Sequence, residues 1–434
     1  MQQAWFDETK IETEPEFVAF VGIDWADEEH VWCWQKAGEG KREKGVLTAQ
    51  AGAVEGWIGE LARRFGPGPI AVAVEQTRAA LLWQLSKYEH LHLYVVPPQT
   101  SAQFRKTFYP SGAKDDGRDA ELLLDLVLQH RRRLRCWAPD TEQTRRVQNL
   151  VEERRKLVNE KTAILNSLTA RLKLYFPQML KWFDPLGTSL VCDLLERWPT
   201  LEQLQKVPIS RLRQFFHRHH CRQAKLIATR IEEISTARPA LKDRAIVEVQ
   251  ASVVPVLVQL LHTLRSGIEK LDRQMAEAVA EHPDYYLYQS LPGAGPVMAP
   301  RLLAAMGTQR DRYRSAQELQ AFTGIAPVME QSGKSKWVHS RWRCPKFLRQ
   351  SFHEWAGHSI RFCPWARAFY QQQRTRGKGH HAATRSLAFK WMRILFRCWQ
   401  DRVPYNEALY LNMLAQRGSS LVATPACGQD VRPR

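Results

Sequence analysis

The chain has 434 residues, 44% of them hydrophobic and 25% charged, with a formal net charge of +18. That length points to two or three domains, and the composition excludes wholesale disorder. The charge leaves the fold open but favours a polyanionic partner.

Residues 1–16 read as an acidic tail. Residues 17–24, Phe-Val-Ala-Phe-Val-Gly-Ile-Asp, form a continuous apolar run of strand character ending on a carboxylate. Residues 31–34 and 45–48 predict two more strands. Residues 49–65 have helical periodicity, with Val54, Trp57, Ile58, Leu61 and Ala62 on one face and Gly66-Pro67-Gly68 as the stop. A buried strand over 70–75 ends on Glu75. A helix over 77–88, a strand over 91–96 closed by Pro97-Pro98, and a leucine-rich helix over 116–130 follow. Strands that then alternate with helices predict an α/β domain over 17–135.

Residues 141–176 predict one long helix whose apolar positions, from Val147 to Leu172, approach a coiled-coil stripe. A second long helix is expected over 244–281, with smaller helices between. The section 136–282 therefore reads as an antiparallel hairpin or a dimerisation arm, with a plain helical spacer as the alternative. Residues 283–414 are expected to form a mostly helical domain and 415–434 a disordered tail. No apolar run reaches membrane-spanning length, and 251–264, with Pro255 and Gln259, reads as a buried helix. The polar, acidic start does not resemble a signal peptide. Eight scattered cysteines without a C-x-x-C pair argue against a zinc ribbon and for a reducing cytoplasm. His217, His219, His220 and Cys221 lack finger spacing and read as surface basic residues.

Two groups of residues carry chemistry. Asp24 and Glu75 end apolar strands, and Asp116 and Asp119 share one face at a helix start. Each alone reads equally as a turn or helix-start acid. Together they are the oxygen ligands that hard Mg²⁺ prefers, and two such ions suit phosphodiester chemistry. Strand-end Asp, strand-end Glu and a later Asp-x-x-Asp helix form the pattern of the RNase H-like, RuvC-like superfamily. Further on, Leu291-Pro-Gly293-Ala-Gly295-Pro resembles a helix-hairpin-helix DNA-backbone binder, with an ordinary helix start as the alternative. Gln331-Ser332-Gly-Lys334-Ser-Lys336 offers a serine beside cations, either a turn residue or a phosphodiester nucleophile. Residues 331–402 hold 16 Lys or Arg and two acids, Glu354 and Asp401. Lys334, Lys336, Arg341, Arg343, Lys346, Arg374, Arg376 and Lys378 are the candidate nucleic-acid contacts.

The motifs Gly22-Ile-Asp24-Trp, Val74-Glu75, Ala113-Lys-Asp-Asp116-Gly-Arg-Asp119-Ala, Leu291-Pro-Gly-Ala-Gly-Pro and Gly324-Ile-Ala-Pro followed by Gln331-Ser332-Gly-Lys stand in a telling order. Arg376-Gly-Lys and the stretch 385–395 extend it. The chain thereby resembles the IS-one-ten family of insertion-sequence transposases, described as bridge-RNA-guided recombinases, over about 17–410. The resemblance implies an N-terminal RuvC-like domain whose Asp24, Glu75, Asp116 and Asp119 bind Mg²⁺, two ions in all. It implies Ser332 as the nucleophile that holds DNA covalently, helped by that Mg²⁺. Donor and target double-stranded DNA, a structured guide RNA and further copies of the chain, as dimer or tetramer, would be its partners. The expected setting is a prokaryotic cytoplasm, at the nucleoid and away from membranes. Asp115 stands where the family has a small polar residue, so it rivals Asp116, and Ser335 rivals Ser332. The alternatives are a metal-dependent, Holliday-junction-like nuclease, a non-catalytic nucleic-acid scaffold, and a transposase working without RNA.

Overall fold

The computed structural model describes residues 15–75, 80–108, 116–333, 335–419 and 421, and it divides into two compact units, Met1–Pro139 and Asp140–Arg434. In the first, β1 (Ala19–Asp24), β2 (Glu29–Lys36), β3 (Arg42–Thr48), β4 (Ile70–Val74), β5 (Leu91–Val95) and β6 (Cys136–Trp137) form one mixed sheet in the order β3-β2-β1-β4-β5-β6. The pairs β3–β2, β2–β1 and β5–β6 are antiparallel, while β1–β4 and β4–β5 are parallel. Its helices are α1 (Ala51–Phe65), α2 (Ala80–Leu85), α3 (Pro98–Phe108) and α4 (Asp116–His130). The mixed α/β architecture expected from sequence is present. β6 and α3 were not expected. Pro97-Pro98 is the predicted stop after the strand, yet Pro98 opens α3, because the fixed φ of proline suits a first helical turn.

β1 and β4 are central strands covered on both faces, so their sequences are apolar throughout rather than alternating. Alternate residues serve different cores. Ala19, Val21, Ile23, Val72 and Val74 pack with α1 and α2. Phe20, Ala71 and Ala73 pack with Ala120, Leu123 and Val127 of α4. Gly22 falls on the α4 face. A Cβ there would stand 2.2 Å from the Ala120 carbonyl oxygen and 2.4 Å from the Leu124 nitrogen. Only glycine permits so close a helix.

In the second unit, α5 (Glu142–Tyr175) is followed by α6 (Gln178–Trp182), α7 (Ser189–Arg197), α8 (Leu201–Gln205), α9 (Ile209–Arg218), α10 (Ala224–Thr236) and α11 (Arg244–Ala280). α5 and α11 run antiparallel: Arg154 pairs with Asp272, Leu157 lies against Gly267, and Arg171 donates to Gln250 at 2.8 Å. Within the chain, then, the two long helices make a hairpin. Leu168, Leu172, Phe215, Val258 and Leu261 centre the core of its distal end. α11 is not wholly buried as expected. Val256 and Leu260 are 53% and 46% exposed, because α5 and the short helices cover only one side. The expectation about membrane-length runs is also corrected, since α11 is long and apolar enough to span by length and composition alone. Core helices pass the same test.

At the other end of the hairpin, Val147, Val151, Met275 and Val279 join the core of the C-terminal helices. These are α12 (Tyr285–Gln289), α13 (Gly295–Met306), α14 (Ala316–Phe322), α15 (Lys346–Phe362), α16 (Pro364–Thr375), α17 (His380–Asp401) and α18 (Glu407–Gln416). Trp355, Trp365, Trp391 and Trp399 are fully buried there, and each indole N–H finds an acceptor. A two-stranded hairpin, β7 (Pro327–Ser332) and β8 (Ser335–Ser340), interrupts the helices. It was not read from the sequence.

Candidate functional site

The strand-end acids are brought together by parity and by the direction of α4. Asp24 follows Phe20 and Gly22 at two-residue steps, and Glu75, just past β4, follows Ala71 and Ala73. Both positions therefore fall on the α4 face, at the carboxyl ends of adjacent parallel strands whose register pairs Ile23 with Val74. Three contacts set the direction of α4. Lys44 pairs with Glu121 at 2.7 Å and Arg42 with Asp125 at 2.6 Å, while Arg131 lies over the Phe17 and Phe20 rings at 5.8 and 5.4 Å. Lys44 is level with Gly22 across the sheet and Arg42 with Phe20. α4 thus runs antiparallel to β1, with its first turn toward the Asp24 end.

Asp116 is the first residue of α4, and Asp115 lies outside the described residues. Asp119 is 4% exposed, and its Oδ1 meets Nη2 of Arg105 from α3 at 2.6 Å. A carboxylate this buried demands a positive partner, and here the guanidinium supplies it. Arg105 was not singled out from the sequence, where nothing separates it from other cations. Asp24 and Glu75 are half-buried. An all-oxygen donor set at one sheet end suits a hard divalent cation, so the residues fit Mg²⁺ chemically. Among the described residues, however, the group with ligand atoms all within 4.8 Å is elsewhere: Asp193 and Glu196 of α7 with His262 of α11. Asp193 also meets Nε2 of His219 at 3.2 Å. Burial lowers the His219 pKa against the pull of Asp193. His219 is therefore a largely buried partner of Asp193 rather than the surface basic residue expected.

The candidate serines sit at the tip of the β7–β8 hairpin. Ser332 ends β7 and Ser335 begins β8; they are paired directly opposite one another and both are exposed. Gly333, at φ 56°, makes the turn, and Lys334 lies outside the described residues. The Ser332-Gly333 pair, between the apolar pairs Val328-Met329 and Trp337-Val338, is the sequence signal for this hairpin.

The Gly293-Ala-Gly295 turn between α12 and α13 divides its two glycines. A Cβ on Gly293 (φ 74°) would stand 2.9 Å from the His358 carbonyl carbon of α15, and Trp355 donates to Pro292 O at 3.1 Å. Gly293 is thus pinned against protein. Gly295 (φ 53°) faces open space. Lys336, Arg341, Arg343, Lys346, Arg374, Arg376 and Lys378 are all exposed. Arg341 donates to Ala321 O at 2.9 Å and Lys378 to Ser386 Oγ at 3.0 Å. Arg301 of α13 is instead buried and reaches Glu354 Oε2 at 2.5 Å and Ser351 Oγ at 3.1 Å.

Two family models match the chain. One, of a DEDD type named for IS110 and described as Transposase, covers residues 21–177. The other, described as Transposase IS116/IS110/IS902 family, covers 285–371. A Streptomyces coelicolor protein assigned as the mini-circle transposase for IS117 is 25% identical over 409 residues, which is 91% of this chain and 97% of the relative. An uncharacterized 44.8 kDa protein of insertion element IS116 from Streptomyces clavuligerus is 24% identical over 90% of this chain and 96% of its own length. An uncharacterized 43.6 kDa protein of insertion element IS110 from Streptomyces coelicolor is 26% identical over 69% of this chain and 74% of its own.

Proposed function

We propose that this chain, which belongs to the IS110/IS116 family of insertion-sequence transposases, cuts and rejoins DNA through a serine nucleophile on the β7–β8 hairpin. The observation that carries the reading is the placement of Ser332. It is exposed at a hairpin tip, in a stretch holding 16 Lys or Arg against two acids. Ser332 Oγ would attack a DNA phosphorus as a phosphorus–oxygen bond of the backbone breaks. The hydroxyl proton passes to a base, and the departing deoxyribose oxygen takes up a proton. The nearby cations draw in the phosphate and oppose its growing charge. Ser335, directly across the hairpin, is the rival nucleophile.

The N-terminal unit is read as RNase H-like, of the RuvC type. The strand order β3-β2-β1-β4-β5 with three antiparallel then parallel strands, and α4 laid across β1, supports that reading. Asp24, Glu75, Asp116 and Asp119 would hold Mg²⁺, two ions in all; bound there, it would neutralise charge on a DNA phosphate. Until then Arg105 keeps the buried Asp119 paired. Gly295 and the exposed cations would contact the DNA backbone. The solvent-facing Val256 and Leu260 of α11 support self-association as dimer or tetramer. Guidance by a structured RNA rests on the family resemblance, as does residence in a prokaryotic cytoplasm.

The test is a denaturant-stable protein–DNA adduct, formed with DNA of the native element and its flanks. It should be lost with Ser332→Ala and kept with Ser335→Ala; the reverse moves the nucleophile to Ser335. Asp119→Asn should abolish cutting while DNA binding stays within about twofold. Cut DNA without any adduct would instead favour a metal-dependent nuclease.

A further inference from the structure

We infer that Trp337 is a stacking platform for an unpaired DNA base, holding the strand whose phosphate is offered to the serine face of the hairpin. The register of β7 and β8 pairs Ser332 with Ser335, Glu330 with Trp337 and Val328 with His339. Directly paired residues share a face, so Ser332, Ser335, Trp337 and His339 stand on one side. Gln331, Lys336, Met329 and Val338 stand on the other. Trp337 is therefore on the face of both candidate nucleophiles, two residues and about 7 Å along the strand from Ser335. That separation matches the reach from a backbone phosphate to a base of the same or neighbouring nucleotide.

The exposure of this indole needs a reason. Four tryptophans of the same unit are fully buried, whereas Trp337 is 64% exposed, and Trp342 beyond it 82%, the hairpin's described residues being nearly all exposed. The His339 ring backs it at 5.0 Å, and His339 in turn holds Glu330 at 2.8 Å. The acid of this face is thus occupied, and the indole keeps a face toward solvent. Arg341, Arg343 and Lys346 follow Trp337 within ten residues, and Lys336 precedes it on the other face. The same hairpin of a second copy would bring like charge to this face and be repelled from it, while a polyanion is drawn in. An aromatic ring among cations is the arrangement that binds single strands, the cations tracking phosphates and the ring taking a base face. A paired duplex hides its base faces. The partner of Trp337 is therefore a base that is unpaired or swung out at the site of cutting. Trp337 is a positioning residue: it makes no bond to the reacting phosphate.

The inference rests on the proposed serine chemistry, and its test separates the two. Ser332→Ala protein, expected to hold DNA without cutting it, is titrated against a labelled duplex and against the same duplex carrying one unpaired base, with anisotropy as the readout. The unpaired base should tighten binding roughly tenfold. Adding Trp337→Ala should remove that preference and leave affinity for the plain duplex, set by the cations, within about twofold. Trp337→Phe should restore most of the preference. A preference absent in the parent protein, or unchanged by Trp337→Ala, overturns the inference, as does a preference confined to RNA strands. Adduct formation by the wild-type protein is scored separately. If no adduct forms but the Trp337-dependent preference holds, the serine reading fails and the stacking assignment stands.

Discussion

Replacing Gly22 with alanine tests the packing that organises the candidate carboxylate site. The new methyl would meet Ala120 O at 2.2 Å and Leu124 N at 2.4 Å, where ordinary contact is 3.4–4 Å. Both obstacles are backbone atoms of α4, so no side chain can turn aside. The helix must retreat by roughly 1 Å, loosening Ala120, Leu123, Leu124 and Val127 from the sheet. Overpacking costs typically 1–3 kcal/mol, and a rigid backbone obstacle belongs at the upper end, about 3 kcal/mol. Asp119 travels with the helix, and a displacement of about 1 Å at a reacting centre costs on the order of 100-fold in rate. Urea unfolding followed by circular dichroism gives the first quantity, and cutting by the folded variant gives the second. Gly56→Ala is the control, because that exposed position in α1 has nothing within 4 Å of an added Cβ and should gain slightly from helix propensity. If Gly22→Ala unfolds at the wild-type midpoint, or Gly56→Ala loses as much, the close-approach argument is wrong.

Asp140 is buried and held by Arg312, by the Thr308 N–H at 3.0 Å and by Gln148 at 2.8 Å, so Asp140→Ala should cost about 3–5 kcal/mol in urea denaturation. Burial by itself would raise the Asp140 pKa, but Arg312 and these hydrogen bonds outweigh it and lower it. Its contribution is therefore present above the unfolded carboxylate value near 3.9 and is lost as the pH falls through the lower folded value, an acid limb that Asp140→Asn should flatten. His282 accepts from the Asp284 N–H at Nδ1 and so donates from Nε2 to Thr144 Oγ1 at 3.0 Å. Burial lowers its pKa despite Asp284. The folded chain then binds fewer protons there, and stability should fall as the pH drops below the unfolded value near 6.5, a slope that His282→Gln should reduce in thermal melts. Gly293→Ala should destabilise more than Gly295→Ala, since α15 crowds only the former, while Gly295→Ala should weaken DNA binding more; equal effects on both measurements would undo the division of the two glycines.

Strand runs, long helices and the order of the motifs were legible because they depend on local periodicity. Residues 17–23 are apolar at every step, which marks a strand covered on both faces wherever it lies in a sheet. The 34- and 37-residue helices α5 and α11 declare themselves by their stripes. The spacing of Asp116 to Asp119 likewise needs only a helix. Other features depend on contacts between distant segments. Nothing local ties Arg105 to Asp119, or says that the motif glycine Gly22 is required by the backbone of a helix nearly a hundred residues on. His219 reads as one of a basic cluster until α7 brings Asp193 against it. The two glycines of the α12–α13 turn look alike in sequence, and only the passage of α15 over one of them makes them different. The β7–β8 register decides that Ser332, Ser335 and Trp337 share a face, because side chains alternate along a strand and a slip of one residue would reverse every one of them. Periodicity along the chain set what each segment could become, and burial of one segment by another selected the residues that meet.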